Sequence, residues 1–231
     1  MSMTTTLLMR FAGPYQSWGS RGVSDLRDTE LEPTKSGVIG LLCAALGRPR
    51  TASLDDLVRL RMGVRVDRPG LVEQDFHTVG TAANDEMPTV EGGSKSTGHV
   101  TRRLYLADAE FLVGLEGEDR SFLEELGAAL QRPKYPLFLG RKSCIPSRRI
   151  FDSVVDLPLE AALERAPWIM PCSMKGKQPP DQLRLVLDAS PGTSAEFRRD
   201  VPLSFEIGRR AFAIRTVRTT FVQLTSDMIR Q

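Results

Sequence analysis

Apolar positions along the chain gather into short runs separated by polar, Gly- or Pro-bearing stretches, and the spacing within each run predicts alternating strands and helices. Thr5 to Phe11 reads as a first strand. After a loop rich in Gly, Pro and aromatics (AGPYQSWGS), Lys35 to Leu46 reads as a helix carrying Val38, Ile39, Leu41, Leu42 and Leu46, bracketed by Pro33 and Gly47. Thr34 or Ser36 caps its amino end, where unpaired N–H groups and the helix dipole favour an anion such as phosphate. Leu54 to Arg61 predicts a short second helix, followed by strands at Gly63 to Val66 and Glu73 to Val79. Gly80 to Gly98 is polar, Gly-rich and too long for an ordinary connection, which predicts a projecting loop that is mobile or binds something. Arg103 to Leu115 alternates as a strand or bent pair of strands with a break near Ala107 and Asp108. Ser121 to Leu130 predicts an amphipathic helix opened by a Ser121-x-x-Glu124 capping box.

This order predicts an α+β chain: a ferredoxin-like or RNA-recognition-motif-like sheet with its helices on one face and, on the other, the kind of open face that often meets nucleic acid. Leu183 to Leu187, Val201 to Ile207 and Ala211 to Val222, joined by Pro/Gly turns, predict an antiparallel β appendage at the carboxy end, with Met170 to Pro180 as linker. The expected organisation is a domain over residues 1–150, with a projection at about 80–101, and a smaller β-rich region over 151–231. A chain of 231 residues buries roughly 70–75% of its unfolded surface and needs neither metal nor disulfide to hold it.

Composition narrows the function classes. Hydrophobic content of 41% and charged content of 26% are those of a soluble protein, and no apolar run approaches the roughly 20 residues that span a bilayer. Met1 to Arg10 lacks an export signal, so a cytoplasmic location and no membrane contact are expected. Cys43, Cys144 and Cys172 are widely spaced and read as buried thiols, while His77 and His99 have no ligand-spaced carboxylate, so neither metal nor cofactor is expected. EPTKSGVIG resembles the end of a phosphate-binding P-loop, but Thr34 and Thr29 stand where that loop needs Gly. No dinucleotide, nucleophile-elbow or zinc-protease motif occurs, and no small-molecule substrate is expected.

The net charge of +2 announces nothing by itself, but its distribution is uneven. Residues 131–150 hold Arg132, Lys134, Arg141, Lys142, Arg148 and Arg149 and no acid; residues 92–105 hold Lys95, Arg102 and Arg103 and again no acid. Such stretches are either solvated surface or contacts to RNA or DNA.

Four segments, in order, carry a resemblance: AGPYQSWG after the first strand, PTKSGVIGLLCAALG on the first helix, RRLYLADAEF after the long loop, and PKYPLFLGRKSCIPS in the basic stretch. Together, over Phe11 to Ser147, they resemble the CasD family of the repeat-associated (RAMP) CRISPR proteins, with a looser match in the last third. The resemblance implies a ferredoxin-like domain with a projecting thumb over Gly80 to Thr101. It implies a non-catalytic subunit of a type I-E Cascade complex in antiviral defence, which holds the 5′ handle of the CRISPR RNA and contacts the backbone subunit and the large subunit. It further implies that Gln16, Trp18, Lys35, Ser36, Arg103, Arg141 and Lys142 lie near the handle, with Arg102 added as the neighbour of Arg103, and that Lys95 and His99, in the thumb, meet partner subunits.

Read from chemistry, Lys35 and Ser36 at a helix amino end either share a phosphate or form an ordinary capped terminus. Trp18 beside Gly19 reads equally as a stacking platform for a base or as a packed side chain. Arg102 and Arg103 on a strand edge clamp phosphates or pair on the surface. Arg141 and Lys142 follow Gly140, where close approach of backbone to RNA is sterically easy. The rival reading is a metal-independent endoribonuclease that processes precursor RNA. Its base, acid and phosphorane-stabilising cation would have to come from His77, His99, Tyr105 and Lys95.

Overall fold

The computed structural model describes residues 4–19, 25–79, 87–88, 92–95, 99–169, 178–189 and 196–230. In chain order the elements are β1 (Thr5–Ala12), β2 (Tyr15–Gln16), β3 (Leu26–Arg27), α1 (Lys35–Leu46), α2 (Asp55–Val58), β4 (Arg61–Arg68), β5 (Leu71–Val79), β6 (Met87–Pro88), β7 (Ser94–Lys95), β8 (His99–Ala107), β9 (Glu110–Gly117), α3 (Arg120–Gln131), β10 (Phe151–Val155), α4 (Leu159–Arg165), β11 (Trp168–Ile169), β12 (Gln182–Asp188), β13 (Glu196–Ser204), β14 (Ala211–Gln223) and β15 (Ile229–Arg230). The fold is mixed α+β, built mainly on antiparallel sheet.

The main sheet has seven strands in the order β10-β1-β9-β4-β12-β14-β13, every neighbouring pair antiparallel. Strand β1 shows why its sequence is apolar almost throughout: Leu7, Met9 and Phe11 face one side, Leu8 the other, and all are buried. On the first side α1 and α3 pack against Met62, Val64, Phe111 and Val113. On the second, α4 packs Leu159 and Leu163 against Leu8, Leu112 and Leu185. The face expected to lie open is therefore covered at its centre. Arg65 fastens the cover: fully buried, its guanidinium donates to Asp67 Oδ1 and to the carbonyls of Leu163 and Ala166, each at 2.6 Å, occupying carbonyls left unpaired where α4 ends.

Local chemistry sets the helix ends. Thr34 Oγ1 accepts the Gly37 N–H at 3.2 Å, and Gly47, at φ 74°, turns the chain so that its own N–H and that of Arg48 return to the carbonyls of Ala44 and Cys43. In α3 the cap is Asp119, which accepts the Phe122 N–H at 3.1 Å. The expected capping box is thus displaced, and Ser121 lies within the helix.

The carboxy-terminal strands are not an appendage. Strand β12 pairs with β4, Arg184 opposite Val66 and Leu187 opposite Gly63, so β12, β14 and β13 extend the main sheet, while β10 extends its other edge beside β1. Unsatisfied N–H and C=O groups on the outer edge of β4 are what the tail completes. Of the expected linker, residues 170–177 lie outside the described residues.

A second sheet centres on β8. Strand β5 runs along one edge, Leu71 opposite Ala107 through Val79 opposite His99, and β2 and β3 lie along the other. Gly70 (φ 71°) and Asp108 (φ 57°) turn the chain between the sheets, close to the break expected at Ala107 and Asp108. A Cβ at Gly70 would lie 2.5 Å from the Ala107 carbonyl oxygen, so the bend needs glycine. Within the expected projection, Met87–Pro88 pairs with Ser94–Lys95; residues 80–86, 89–91 and 96–98 lie outside the described residues. Among the described residues no helix is long and apolar enough to cross a membrane.

Candidate nucleic-acid interface

The loop after β1 is held by a buried polar knot. Trp18 is 1% exposed and stacks on Phe11 with ring centroids 5.4 Å apart. Its Nε1–H donates to Gln16 Oε1 at 3.1 Å, and Gln16 Nε2 donates in turn to the carbonyls of Ala109 (2.7 Å) and Phe11 (3.2 Å). Every polar group of the pair is satisfied internally and both side chains are buried, so here they shape the loop. Gly37 makes room for the indole: a Cβ there would lie 2.8 Å from the Trp18 ring.

The amino end of α1 already holds its anion. The Lys35 N–H donates to Asp200 Oδ2 at 2.8 Å, and Lys35 Nζ lies 3.2 Å from Asp188 Oδ2. Arg215 joins both carboxylates, with Nε 2.7 Å from Asp200 Oδ1 and Nη1 2.5 Å from Asp188 Oδ1. Burial alone would raise the Asp200 carboxyl, but the hydrogen bonds and charge of Arg215 and the Lys35 N–H hold it below its ordinary value. Lys35, placed by sequence beside the handle, is buried and committed. Ser36 is half-buried, its Oγ 3.4 Å from Thr34 Oγ1.

Arg141 is a strut. Its Nη1 donates to the Leu104 carbonyl at 3.0 Å, its Nη2 to those of Arg27 (2.8 Å) and Asp28 (3.3 Å), and its guanidinium lies 4.6 Å over the Tyr105 ring. It thereby ties β8, the β3 loop and the Leu139–Cys144 loop together. Gly140, at φ 92°, is required there, since a Cβ would meet the Ser17 carbonyl oxygen at 1.7 Å. Lys142 is exposed. On β8, Arg102 is exposed with its guanidinium 5.9 Å from the Phe76 ring, and Arg103 is half-buried, donating from Nε to Thr101 Oγ1 at 3.2 Å. Tyr105 is buried beneath Arg141. His77 Nε2 sits 2.6 Å from Asp75 Oδ2 without hydrogen-bond alignment. Lys95 and His99 are placed by backbone alone, in β7 and β8; their side chains lie outside what the structure describes.

These segments enclose a cleft of about 520 Å³, walled by Ser17–Gly19, Arg27–Asp28, the Thr34–Gly37 end of α1, Gly140–Arg141, and Phe205, Arg210 and Phe212 of the β13–β14 hairpin. Sequence reasoning missed Arg27, Phe205, Arg210 and Phe212. Arg27 is masked by Asp25, Asp28 and Glu30, so a local charge count passes over it. The pair Arg209–Arg210 just after Gly208 is a basic turn, the one signal that pointed there. Among the described residues neither Arg27 nor Arg210 has an ion-pair partner for its guanidinium, whereas Arg215, Arg184 and Arg65 all have one.

A family model described as CRISPR-associated protein (Cas_Cas5) matches residues 6–218. The chain belongs to the Cas5 family. The match takes in β12, β13 and most of β14, so the tail that resembled the family only loosely in sequence lies within the Cas5 unit. This Cas5 chain is 36% identical over 163 residues to the CRISPR system Cascade subunit CasD of Escherichia coli (strain K12), covering 64% of this chain and 70% of that protein. It is similar to a solved crystal structure of a Cas protein at 42% identity and TM-score 0.73, covering 94% of this chain and 95% of the other. It is also similar, at 30% identity and TM-score 0.82, to a chain of a CRISPR RNA-guided surveillance complex, covering 98% and 93%.

Proposed function

We propose that this Cas5 chain is a non-catalytic subunit of a Cascade-type CRISPR surveillance complex that grips the 5′ handle of the CRISPR RNA, in antiviral defence in the cytoplasm. The observation that carries the reading is the cleft itself. Three of the four segments that resemble the CasD family line it, and the fourth, RRLYLADAEF, braces it from behind through Leu104 and Tyr105 on Arg141 and Ala109 on Gln16. Its wall holds Arg27 and Arg210, which have no ion-pair partner among the described residues. Phosphate contacts of this kind supply most of the affinity for a nucleic-acid backbone.

A ferredoxin-like core is supported by the order β10-β1-β9-β4 with α1 and α3 on one side, and a thumb over Gly80 to Thr101 by the paired strands β5 and β8 that lead into and out of it, the β5 side chains being largely exposed. That hairpin suits contacts to a backbone subunit, with the large subunit as the second protein partner. Absence of cleavage is supported by the fate of the rival's groups. Strand cleavage needs a base, an acid and a cation at one phosphate, but Tyr105 is sealed under Arg141 and His77 is held beside Asp75.

The test is incubation of the purified chain, without metal, with labelled repeat RNA and with its 5′-handle fragment across a salt series. Salt-sensitive handle binding with no cut is expected. Site-specific cleavage of the repeat would replace this reading with a processing nuclease, and salt-independent or absent binding would remove the grip.

A further inference from the structure

We propose that the β13–β14 hairpin is the second wall of the RNA site: Arg210 contacts a phosphate and Phe212 presents a face to an unstacked base of single-stranded RNA. The proposal rests on the handle-gripping reading and extends it to strands that otherwise only complete the sheet.

Several cations of the tail are already occupied. Arg184 and Arg198 are paired with Glu32, Arg215 with Asp188 and Asp200, and Arg218 with Glu160. Arg210 stands apart: exposed, without a carboxylate or carbonyl partner among the described residues, and in the cleft wall together with Arg27 and Arg141. The carboxylate in that wall, Asp28, leaves the balance cationic. An unneutralised guanidinium facing others across a cleft raises the local potential and favours a polyanion.

The hairpin is also held in place. Phe205 is half-buried and packs on the core at α1, its ring 3.7 Å from where a Gly40 Cβ would sit, so the turn carrying Arg210 is anchored over the cleft. Phe212 is half-buried in the same wall, and its carbonyl accepts Arg199 Nε–H at 3.3 Å, which fixes the strand beneath the ring. A partly open aromatic beside unpaired guanidinium groups is the combination with which proteins hold single-stranded RNA, the ring stacking on a base and the cation meeting its phosphate.

The experiment measures binding of the 5′-handle RNA, and of a scrambled RNA of equal length, to the full chain across a salt series. Arg210→Ala is expected to lower the slope of log affinity against log salt by about 0.7, one phosphate contact on a single strand, and Arg210→Lys to restore most of it. Phe212→Leu is expected to weaken binding roughly 5- to 150-fold with the slope unchanged. Phe212→Trp gives a second readout: Trp18 and Trp168 are sealed in the core, so quenching of the new indole on RNA addition reports stacking directly. If Arg210→Ala and Phe212→Leu bind as the parent does while Lys142→Ala is weakened, the hairpin proposal is overturned and the grip stands. If the parent chain binds no handle at all, the grip falls, and the hairpin's role with it.

Discussion

At the amino end of α1, Lys35 and Arg215 face Asp188 and Asp200, and every charge is spent inside the fold. In the cleft that the same helix end borders, Arg27 and Arg210 have no ion-pair partner among the described residues, and Asp28 is the one carboxylate lining the wall. The two regions have similar numbers of cations and opposite meanings. What separates them is neutralisation: a cation already paired with a buried carboxylate contributes stability, and one left over contributes binding. Counting basic residues along a sequence cannot make that distinction.

The largest test of this contrast is Arg215→Met. Among the described residues it leaves Lys35 as the one cation bonded to Asp188 and Asp200, with the Met62 N–H and the more distant Arg198 charge as lesser support, and is expected to cost about 3–5 kcal/mol in urea unfolding while the salt slope of handle binding by the folded variant stays unchanged. A cost below about 1 kcal/mol would show that the cluster is no lock. Gly140→Ala acts on the other region. The φ of 92° costs about 1–3 kcal/mol for alanine, and the Ser17 carbonyl must also move, so both melting temperature and handle affinity should fall together. Unchanged affinity would detach the Gly140 loop from the RNA site.

Acid titration sharpens the lock further. The Asp200 carboxyl is held below its ordinary value in the fold, so its stabilisation is fully present above the unfolded value, about 4, and is lost as pH falls through the lower folded one. Stability of the parent should therefore decline below about pH 4, and Asp200→Asn, weaker throughout, should decline less steeply over the same interval. Parallel curves would mean that other carboxylates govern acid unfolding. The smallest effect separates the two regions directly: Lys142→Ala should lower the salt slope of handle binding by about 0.7, and Lys35→Met should leave it where it was. A lowered slope for Lys35→Met would return the helix end to the RNA site.

Helix α1 was legible to the residue because Thr34, Pro33 and Gly47 state its ends locally. The bend at Asp108 was legible for the same reason. Gln16 and Trp18 were not: a polar and aromatic loop flanked by glycines reads as exposed, and the carbonyl of Ala109, distant in sequence, joins that of nearby Phe11 in making burial of the amide possible. Lys35 misleads in the same way, its partners lying more than 150 positions downstream. The tail read correctly as strands but wrongly as a separate appendage. Strand propensity is local, whereas the choice of β4 as partner is made by an unpaired edge elsewhere in the chain.

The Lys35–Asp200 contact also sets a timetable for synthesis. The two residues are 165 positions apart, and a ribosome adding about 5–20 residues per second takes roughly 8–33 seconds to travel between them. Throughout that interval the nascent α1 has Thr34 as its cap but not the carboxylate that later closes its first turn, and β4, once made, has an exposed edge until β12 follows. The amino-terminal half of this protein therefore waits, open-edged, for its last strands to be made.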